Sequence, residues 1–165
     1  MTDISIYDIS ARHFIGALTV LNNILKKAML QPDAYSFPSA TLIEDMKPLA
    51  FHVQSVTKTV TRSLSRLLES EVQAWEDTET TMEELVKRAE ECLATLQGLD
   101  PAAFAGREKT MISLPGGTLS GKQFLLGFGV PNIYFHLNMV YAILRMKGVP
   151  LGKADYLDPW NRPEA

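Results

Sequence analysis

The feature that most constrains the fold is an uncharged segment near the C-terminal end of the chain. Residues 123–144 contain no Asp, Glu, Lys or Arg. Pro131 suits the first position of a helix, where its missing N–H costs nothing, and Gly148 suits the position that closes one. Apolar side chains recur between these two residues at spacings of three and four, so the sequence predicts one helix there with a single buried stripe.

The length of this uncharged segment raises the question of a membrane span. Pro131 and Asn132 lie in its middle, Gly127 and Gly129 interrupt its first half, and the other predicted helices are amphipathic. We therefore predict a soluble protein. The composition, with 46% hydrophobic and 21% charged residues, is typical of a globular protein, and a length of 165 residues favours one domain over residues 1–165.

Three further helices are predicted from apolar residues spaced by three and four. The first spans about residues 9–29, and the second about residues 40–71. The third ends near Gln97 and follows two overlapping capping-box spacings, one that begins at Thr80 and one at Thr81. Pro48 lies inside the second helix, so we expect a kink or short break just before it. Four helices of this kind predict an all-α four-helix bundle.

The segment between the third and fourth helices has a different pattern. Residues 109–114 favour β-structure and residues 115–117 signal a turn, which together predict a short hairpin or an extended crossover. Residues 119–128 have room for a short helix. The tail, residues 149–165, has three prolines and no periodicity, so we expect an irregular chain. Its expected anchors on the bundle are Leu151, Tyr156, Leu157 and Trp160.

One short motif points to nucleotide binding. Residues 116–122 match the phosphate-binding pattern G-x-x-x-x-G-K, but the next position, where Ser or Thr would hold magnesium, is Gln123. The motif also requires a preceding strand within a parallel sheet, and the chain has no alternating series of strands and helices. We interpret these glycines as a turn that leads into a helix.

Net charge and cysteine content exclude several classes of protein. A net charge of −3 and a pI of about 5.6 give no broad attraction for nucleic acid or an anionic membrane surface. The only cysteine, Cys92, lies on the apolar stripe of the third helix, so we interpret it as a buried thiol, and zinc held by several thiolates is excluded. The first ten residues show no secretory signal, and we expect a cytoplasmic protein without nucleic-acid or membrane partners.

Two groups of charged side chains are interpreted as solvated helix faces. Lys58, Arg62 and Arg66 form a basic row on the second helix. Glu84 and Arg88 are one turn apart on the third helix, which is the spacing of a surface ion pair. Neither group predicts a binding site.

The three histidines, His13, His52 and His136, lie on three different predicted helices. Three imidazoles that converge inside a bundle would form a metal site with open positions. His13 and His52 differ in height along an antiparallel pair of helices, so His52 and His136 are the better pair. No HxxxH pair or carboxylate ligand accompanies them, and each also fits a partly buried histidine bonded to a carbonyl or carboxylate group.

The fourth helix and the tail resemble a known family. Residues 131–136 (PNIYFH), 141–145 (YAILR) and 148–157 (GVPLGKADYL) resemble the signature of the uncharacterised domain family numbered 1993, and residues 44–55 (EDMKPLAFHVQS) fit its second-helix segment. That family is placed with the DinB-like metalloenzymes, which are four-helix bundles. The resemblance therefore implies a DinB-like fold and, because members of that superfamily are often dimers, a homodimer.

The resemblance also implies where a metal would bind. DinB-like members that hold a metal use one His from the second helix and an HxxxH pair from the last helix. His52 matches the first of these and His136 one member of the pair, whereas Val140 stands where the second member would be. A divalent metal cofactor is therefore disfavoured, and we assign no metal ligands and no other cofactor.

These observations support three hypotheses. The first is a small-molecule site between the second and fourth helices, with His136 as an acid or base, His52 as its catalytic partner, and Tyr134, Asn138 and Tyr141 as ligand contacts. The second is a non-catalytic dimeric bundle that serves interaction or structure. The third is a metal-dependent transferase or hydrolase with a degenerate histidine site. Whether the protein is an enzyme stays open among them.

Overall fold

Four long helices form the framework of the protein. The computed structural model describes residues 3–71 and 74–160. The long helices are α1 (His13–Met29), α2 (Leu49–Leu68), α3 (Met82–Gln97) and α5 (Val130–Met146), and two short helices, α4 (Gly121–Phe124) and α6 (Lys153–Leu157), flank α5. α1 and α2 each pack against both α3 and α5, so α1 and α2 occupy opposite corners of the bundle. The predicted four-helix bundle is confirmed.

The second helix begins later than the sequence predicted. α2 starts at Leu49, and Pro48 directly before it has an extended backbone with ψ of 168°. Residues 40–48 are not helical apart from turns, so a helix that begins near residue 40 and kinks before Pro48 is wrong. A proline inside the helix would remove a hydrogen bond and crowd the preceding turn, whereas a proline just before the first turn disturbs neither.

A short hairpin joins α3 to α4, as predicted. β1 (Met111–Leu114) pairs antiparallel with β2 (Gly117–Ser120), with Leu114 opposite Gly117 at the turn. Gly117 has φ of 137°, a conformation that favours glycine. Gly121 begins α4 so close to a neighbouring loop that a Cβ atom would lie 2.4 Å from the carbonyl oxygen of Arg107. A hairpin turn and close packing therefore account for the glycines of the phosphate-loop match.

Two π-helical turns precede α1 and α5 without a break in the helical backbone. They span Asp8–Arg12 and Leu125–Gly129. The N–H of Val130 therefore bonds to the carbonyl of Leu125 five residues earlier, and the helical path runs from Gly121 to Met146. Pro131 lies in the first turn of α5, one residue after the first position that we predicted for it, as its missing N–H favours. The π turn that continues the helical path before it was not predicted.

The tail is ordered against α1, in contrast to the irregular chain that we predicted. α6 and a 3₁₀ turn (Asp158–Trp160) follow α5, and Lys27 Nζ on α1 lies 3.1 Å from Asp155 Oδ1 on α6. Trp160 covers Gly16 so closely that a Cβ there would lie 2.6 Å from the indole. Aromatic packing and this ion pair order a segment that has no helical periodicity. Residues 161–165 of the predicted tail lie outside the described residues.

The apolar stripes of the long helices meet in one core. Its fully buried members include Phe14, Leu21, Val56, Leu64, Leu85, Leu137 and Leu144. Cys92 is also fully buried, as predicted from its position on the stripe. Of the expected tail anchors, Leu151 is buried and Tyr156 and Trp160 pack partly against the core, whereas Leu157 is exposed. Within the described part of the chain, no helix is long and apolar enough to span a membrane.

Candidate functional site

His52 and His136 meet between α2 and α5, as the sequence predicted. Their Nδ1 atoms lie 2.9 Å apart, which is a hydrogen-bond distance. His52 is in the first turn of α2 and is only 3% exposed, and His136 lies two turns into α5 and is partly exposed. Because an N–H must face a lone pair at this distance, one imidazole donates from Nδ1 and the other accepts.

Burial keeps both imidazoles of this pair neutral at physiological pH. Burial is the main cause that lowers the pKa of His136 to about 4, and repulsion from a charged His52 lowers it further. Burial also lowers the pKa of His52, and the nearby backbone of Lys47 opposes that shift. The hypothesis that His136 acts as an acid or base assumed that it titrates near neutrality, and this lowered pKa contradicts that assumption. The result is a neutral, hydrogen-bonded pair.

The two remaining ring nitrogens differ in access. Nε2 of His52 is buried and has no hydrogen-bond partner of normal geometry among the described residues. Nε2 of His136 also has no partner among them, but it retains contact with solvent. A molecule that approaches the pair from outside thus meets His136 first, with His52 behind it.

Aromatic rings surround the pair on the outer side. The ring centroids of Phe51 and His136 are 5.9 Å apart, and those of His52 and Phe135 are 6.3 Å apart, both in edge-to-face arrangements. Phe135 is 55% exposed, and Lys47 Nζ lies 5.6 Å from the centre of the Phe51 ring. The pair is therefore bordered by apolar surface and one cation.

The donor set at the pair does not fit a resident metal. The residue one turn after His136 is Val140, whose side chain is fully buried and apolar. Across residues 3–71 and 74–160, no group of three or more His, Cys, Asp and Glu side chains is arranged to hold a metal ion. Zinc sites use at least three protein ligands, and two imidazoles that are already hydrogen-bonded to each other supply fewer.

Tyr134 lies against α1 and the tail, apart from the histidine pair. Its hydroxyl is 2.7 Å from Nε2 of His13, and its ring lies 5.8 Å from that of Trp160. Burial lowers the pKa of His13 and raises the pKa of Tyr134, so both are neutral at physiological pH. His13 thus belongs to an aromatic cluster at the tail and does not join the other two histidines.

Asn138 and Tyr141 lie at yet another face of α5. They line a cavity of about 270 Å³ together with residues of α6. The five residues that the sequence placed in one site are therefore divided among the histidine pair, the cluster at the tail and this cavity. Helical geometry explains the division, because residues two or five positions from His136 point away from the side of α5 that it occupies.

Arg88 is buried and hydrogen-bonded through all three of its side-chain nitrogens, so the interpretation of it as a solvent-face residue is wrong. Its side chain is 1% exposed, Nε donates to Thr57 Oγ1 at 2.8 Å, and Nη1 donates to both carboxylate oxygens of Glu79 at 2.9 Å. Its further acceptors are the carbonyl oxygens of Gln54 and Glu76 and the carboxylate of Asp77. Glu84, its expected partner, instead accepts hydrogen bonds from the N–H groups of Thr80 and Thr81.

The sequence did contain a signal for this network. Arg88 directly precedes Ala89 on the apolar stripe of α3, and α2 has several small polar residues among its buried positions. The predicted basic row on α2 is only partly free: Lys58 pairs with Asp77, and Arg66 lies over the Phe124 ring at 5.7 Å. The Lys58 contact fastens the described part of the α2–α3 connector, and the Arg66 contact joins α2 to α4.

Comparisons with known proteins agree with this architecture. A family model described as "Domain of unknown function (DUF1993)" matches residues 6–157. Among solved structures, the chain is similar to a DinB family member protein from Shewanella denitrificans, with 32% sequence identity and a TM-score of 0.86. That match covers 96% of this chain and 95% of the other chain. No curated protein matches.

Proposed function

Since the chain belongs to the DUF1993 family of domains of unknown function and has a DinB-like fold, its activity has to be inferred from its own residues, and we propose that it binds a small organic molecule at His136. Nε2 of His136 is the contact atom, and His52 holds the ring from behind. The observation that supports this is the 2.9 Å contact between the two Nδ1 atoms, which leaves Nε2 of His136 as the ring nitrogen that solvent reaches.

The neutral state of the pair defines the ligand chemistry. With a pKa of about 4, His136 serves at neutral pH as a hydrogen-bond partner and not as a cation. If the His136 ring donates to His52, its Nε2 carries a lone pair and accepts a hydrogen bond. If the His136 ring accepts from His52, its Nε2 carries a proton and donates one. A hydroxyl group meets either tautomer, because it both donates and accepts. We therefore propose a ligand that carries a hydroxyl group.

The aromatic border defines the rest of the ligand. Phe51 and Phe135 offer ring faces and edges beside His136, and neither carries a polar group. An apolar or aromatic body attached to the hydroxyl would pack on them and remove the exposed Phe135 ring from water. None of Phe51, Phe135 and His136 is acidic, so we propose that the site prefers a neutral ligand to a cationic one.

Phenol and toluene test this proposal, because toluene has a methyl group of similar size where phenol has its hydroxyl group. We would record nitrogen NMR spectra of the three histidines while each probe is added at millimolar concentration. Phenol should shift the Nε2 signal of His136, toluene should shift it much less, and His136→Gln should abolish phenol binding. The matched control His13→Gln should leave it intact. Equal effects of the two probes, or full phenol binding to His136→Gln, would refute the site.

A second candidate function is assembly of two copies of this chain. Phe135 and Met146 are 55% and 48% exposed and are eleven residues, or about three turns, apart on α5, so they share a face. Phe135 belongs to a segment with no charged residue over residues 123–144, whereas Met146 lies between Arg145 and Lys147. A second copy that covered this face would bury both apolar side chains.

Sedimentation velocity tests the dimer. Wild-type protein should sediment as a dimer, and Met146→Glu should sediment as a monomer because it places a charge in the interface. Leu30→Glu changes a residue that is 80% exposed at the end of α1, and this control should remain dimeric. A wild-type monomer at high concentration would exclude this candidate without affecting the ligand site.

Because the single Cys92 is buried and no disulfide is possible, we propose that the protein acts in the cytoplasm.

A further inference from the structure

The cavity between α5 and α6 is a second place where a small molecule fits. It has a volume of about 270 Å³. Its lining residues are Asn138, Tyr141, Lys153, Tyr156 and Leu157. The rings of Tyr141 and Tyr156 stand nearly perpendicular with centroids 6.1 Å apart, so they form two walls of a corner. This volume is just below the range of typical ligand pockets, and it suits a single ring.

The polar groups around this cavity lack protein partners. The hydroxyls of Tyr141 and Tyr156, the amide of Asn138 and the ammonium of Lys153 make no hydrogen bond or ion pair with the described residues. Burial, with a smaller contribution from Tyr134, raises the pKa of Tyr156 to about 12, so its hydroxyl stays a donor. These groups present one positive charge and several donors toward the cavity.

No carboxylate competes for that charge. None of the lining residues is acidic. Two acidic residues of the described chain adjoin them in sequence: Asp158 makes no ion pair with Lys153, and Asp155 is held by Lys27 and by the N–H of Gly152. The same two contacts fix α6 on α1, so the wall that carries Tyr156 and Lys153 is already in place before a ligand arrives. Such preorganisation lowers the entropy cost of binding.

We propose that this cavity binds a small aromatic carboxylate. The carboxylate pairs with Lys153 and accepts from a tyrosine hydroxyl, and the ring packs in the corner between Tyr141 and Tyr156. This site is independent of the one at His136, because Asn138 and Tyr141 lie on another side of α5. It requires neither the histidine pair nor the dimer.

Benzoate and its neutral isostere benzamide distinguish the charge from the shape of the ligand. With the full chain, proton NMR should show that benzoate at millimolar concentration perturbs the ring signals of Tyr141 and Tyr156. Benzamide should perturb them less. Lys153→Met should weaken benzoate binding about threefold to fivefold, as expected for a partly exposed ion pair, and leave benzamide binding unchanged.

Two variants complete the test. Tyr141→Leu should weaken benzoate and benzamide together, because it removes a wall and not the charge. Lys87→Met removes an ammonium from the exposed face of α3 and should change nothing. Absence of benzoate signals on the tyrosines, or equal benzoate affinity in wild type and Lys153→Met, would overturn the proposal. Either result would leave phenol binding at His136 unaffected, so the two sites are tested separately.

Discussion

Arg88 Nη1 lies 2.9 Å from each carboxylate oxygen of Glu79, although the arginine side chain is only 1% exposed. This contact joins the middle of α3 to the connector that precedes it, and Thr57 extends it to α2. A buried cation is tolerated only when its donors are satisfied, and here every nitrogen of the guanidinium has an acceptor. The network therefore fixes one arrangement of the connector against two helices.

Replacement of Arg88 should destabilise the fold strongly. Arg88→Met would leave the Glu79 carboxylate, whose side chain is 12% exposed, without its cation. We expect a loss of at least about 3 kcal/mol in the free energy of unfolding, measured by urea denaturation. Lys87→Met, on the exposed side of the same turn, should stay within about 0.5 kcal/mol of wild type. A change at Arg88 as small as that at Lys87 would contradict this account.

Stability should fall between pH 7 and pH 5 because of the histidine pair. The folded-state pKa of His136 is about 4, below the value of about 6.5 for an unfolded chain, and the pKa of His52 is lowered too. The unfolded state thus takes up protons first as the pH falls, and the stabilisation that is complete above pH 7 is lost through this window. With an allowance for solvent screening, His136 contributes about 1 kcal/mol to the change.

Urea denaturation at both pH values measures this effect. The double variant His52→Gln, His136→Gln removes both titrations, so its stability should change less between pH 7 and pH 5 than that of wild type. A residual slope from His13 is expected, because burial lowers the pKa of that histidine as well. The same slope in wild type and the double variant would show that the pair does not titrate as described.

Cys92 should be unreactive in the folded protein. Burial raises the pKa of its thiol to about 12, and the nearby charge of Arg88 opposes this only in part. A neutral, buried thiol is a poor nucleophile, so iodoacetamide at pH 8 should modify it only after unfolding in urea. Rapid modification of the native protein would contradict its place in the core.

Gly16 should control the docking of the tail. A Cβ atom there would lie 2.6 Å from Trp160, which also stacks near His13 at a ring distance of 4.9 Å. Gly16→Ala should displace the indole toward water and shift its fluorescence to longer wavelength, in a Trp75→Phe background that leaves Trp160 as the only fluorophore of its kind. Gly127→Ala is the control, because a Cβ there meets nothing within 4 Å.

The four long helices were predictable because their apolar residues keep a spacing of three and four over many turns. The hairpin was predictable from Pro115 and the two glycines after it, which mark a turn between β-favouring residues. The residues at which the helices begin and end were less predictable. Pro48 can interrupt a helix or precede one, and only the packing of residues 40–48 decides between these outcomes.

The candidate site was also predicted only in part. His52 and His136 were paired correctly, because both lie on apolar helices that a bundle brings together. Tyr134 and Tyr141 were assigned to the same site because they are near His136 in sequence, but their side chains leave α5 in other directions. The order of the tail rests on contacts of Trp160 and Asp155 with α1, which no local pattern encodes.

The π turn at Leu125–Gly129 determines which residues of α5 look inward. Such a turn is equivalent to one residue inserted into a regular helix, and one residue corresponds to about 100° of rotation. A relative that lacked one residue here could keep the hairpin and α4 in place yet would turn His136 away from His52. We therefore expect that, in relatives of this chain, deletion of one residue at this turn goes together with loss of the imidazole pair.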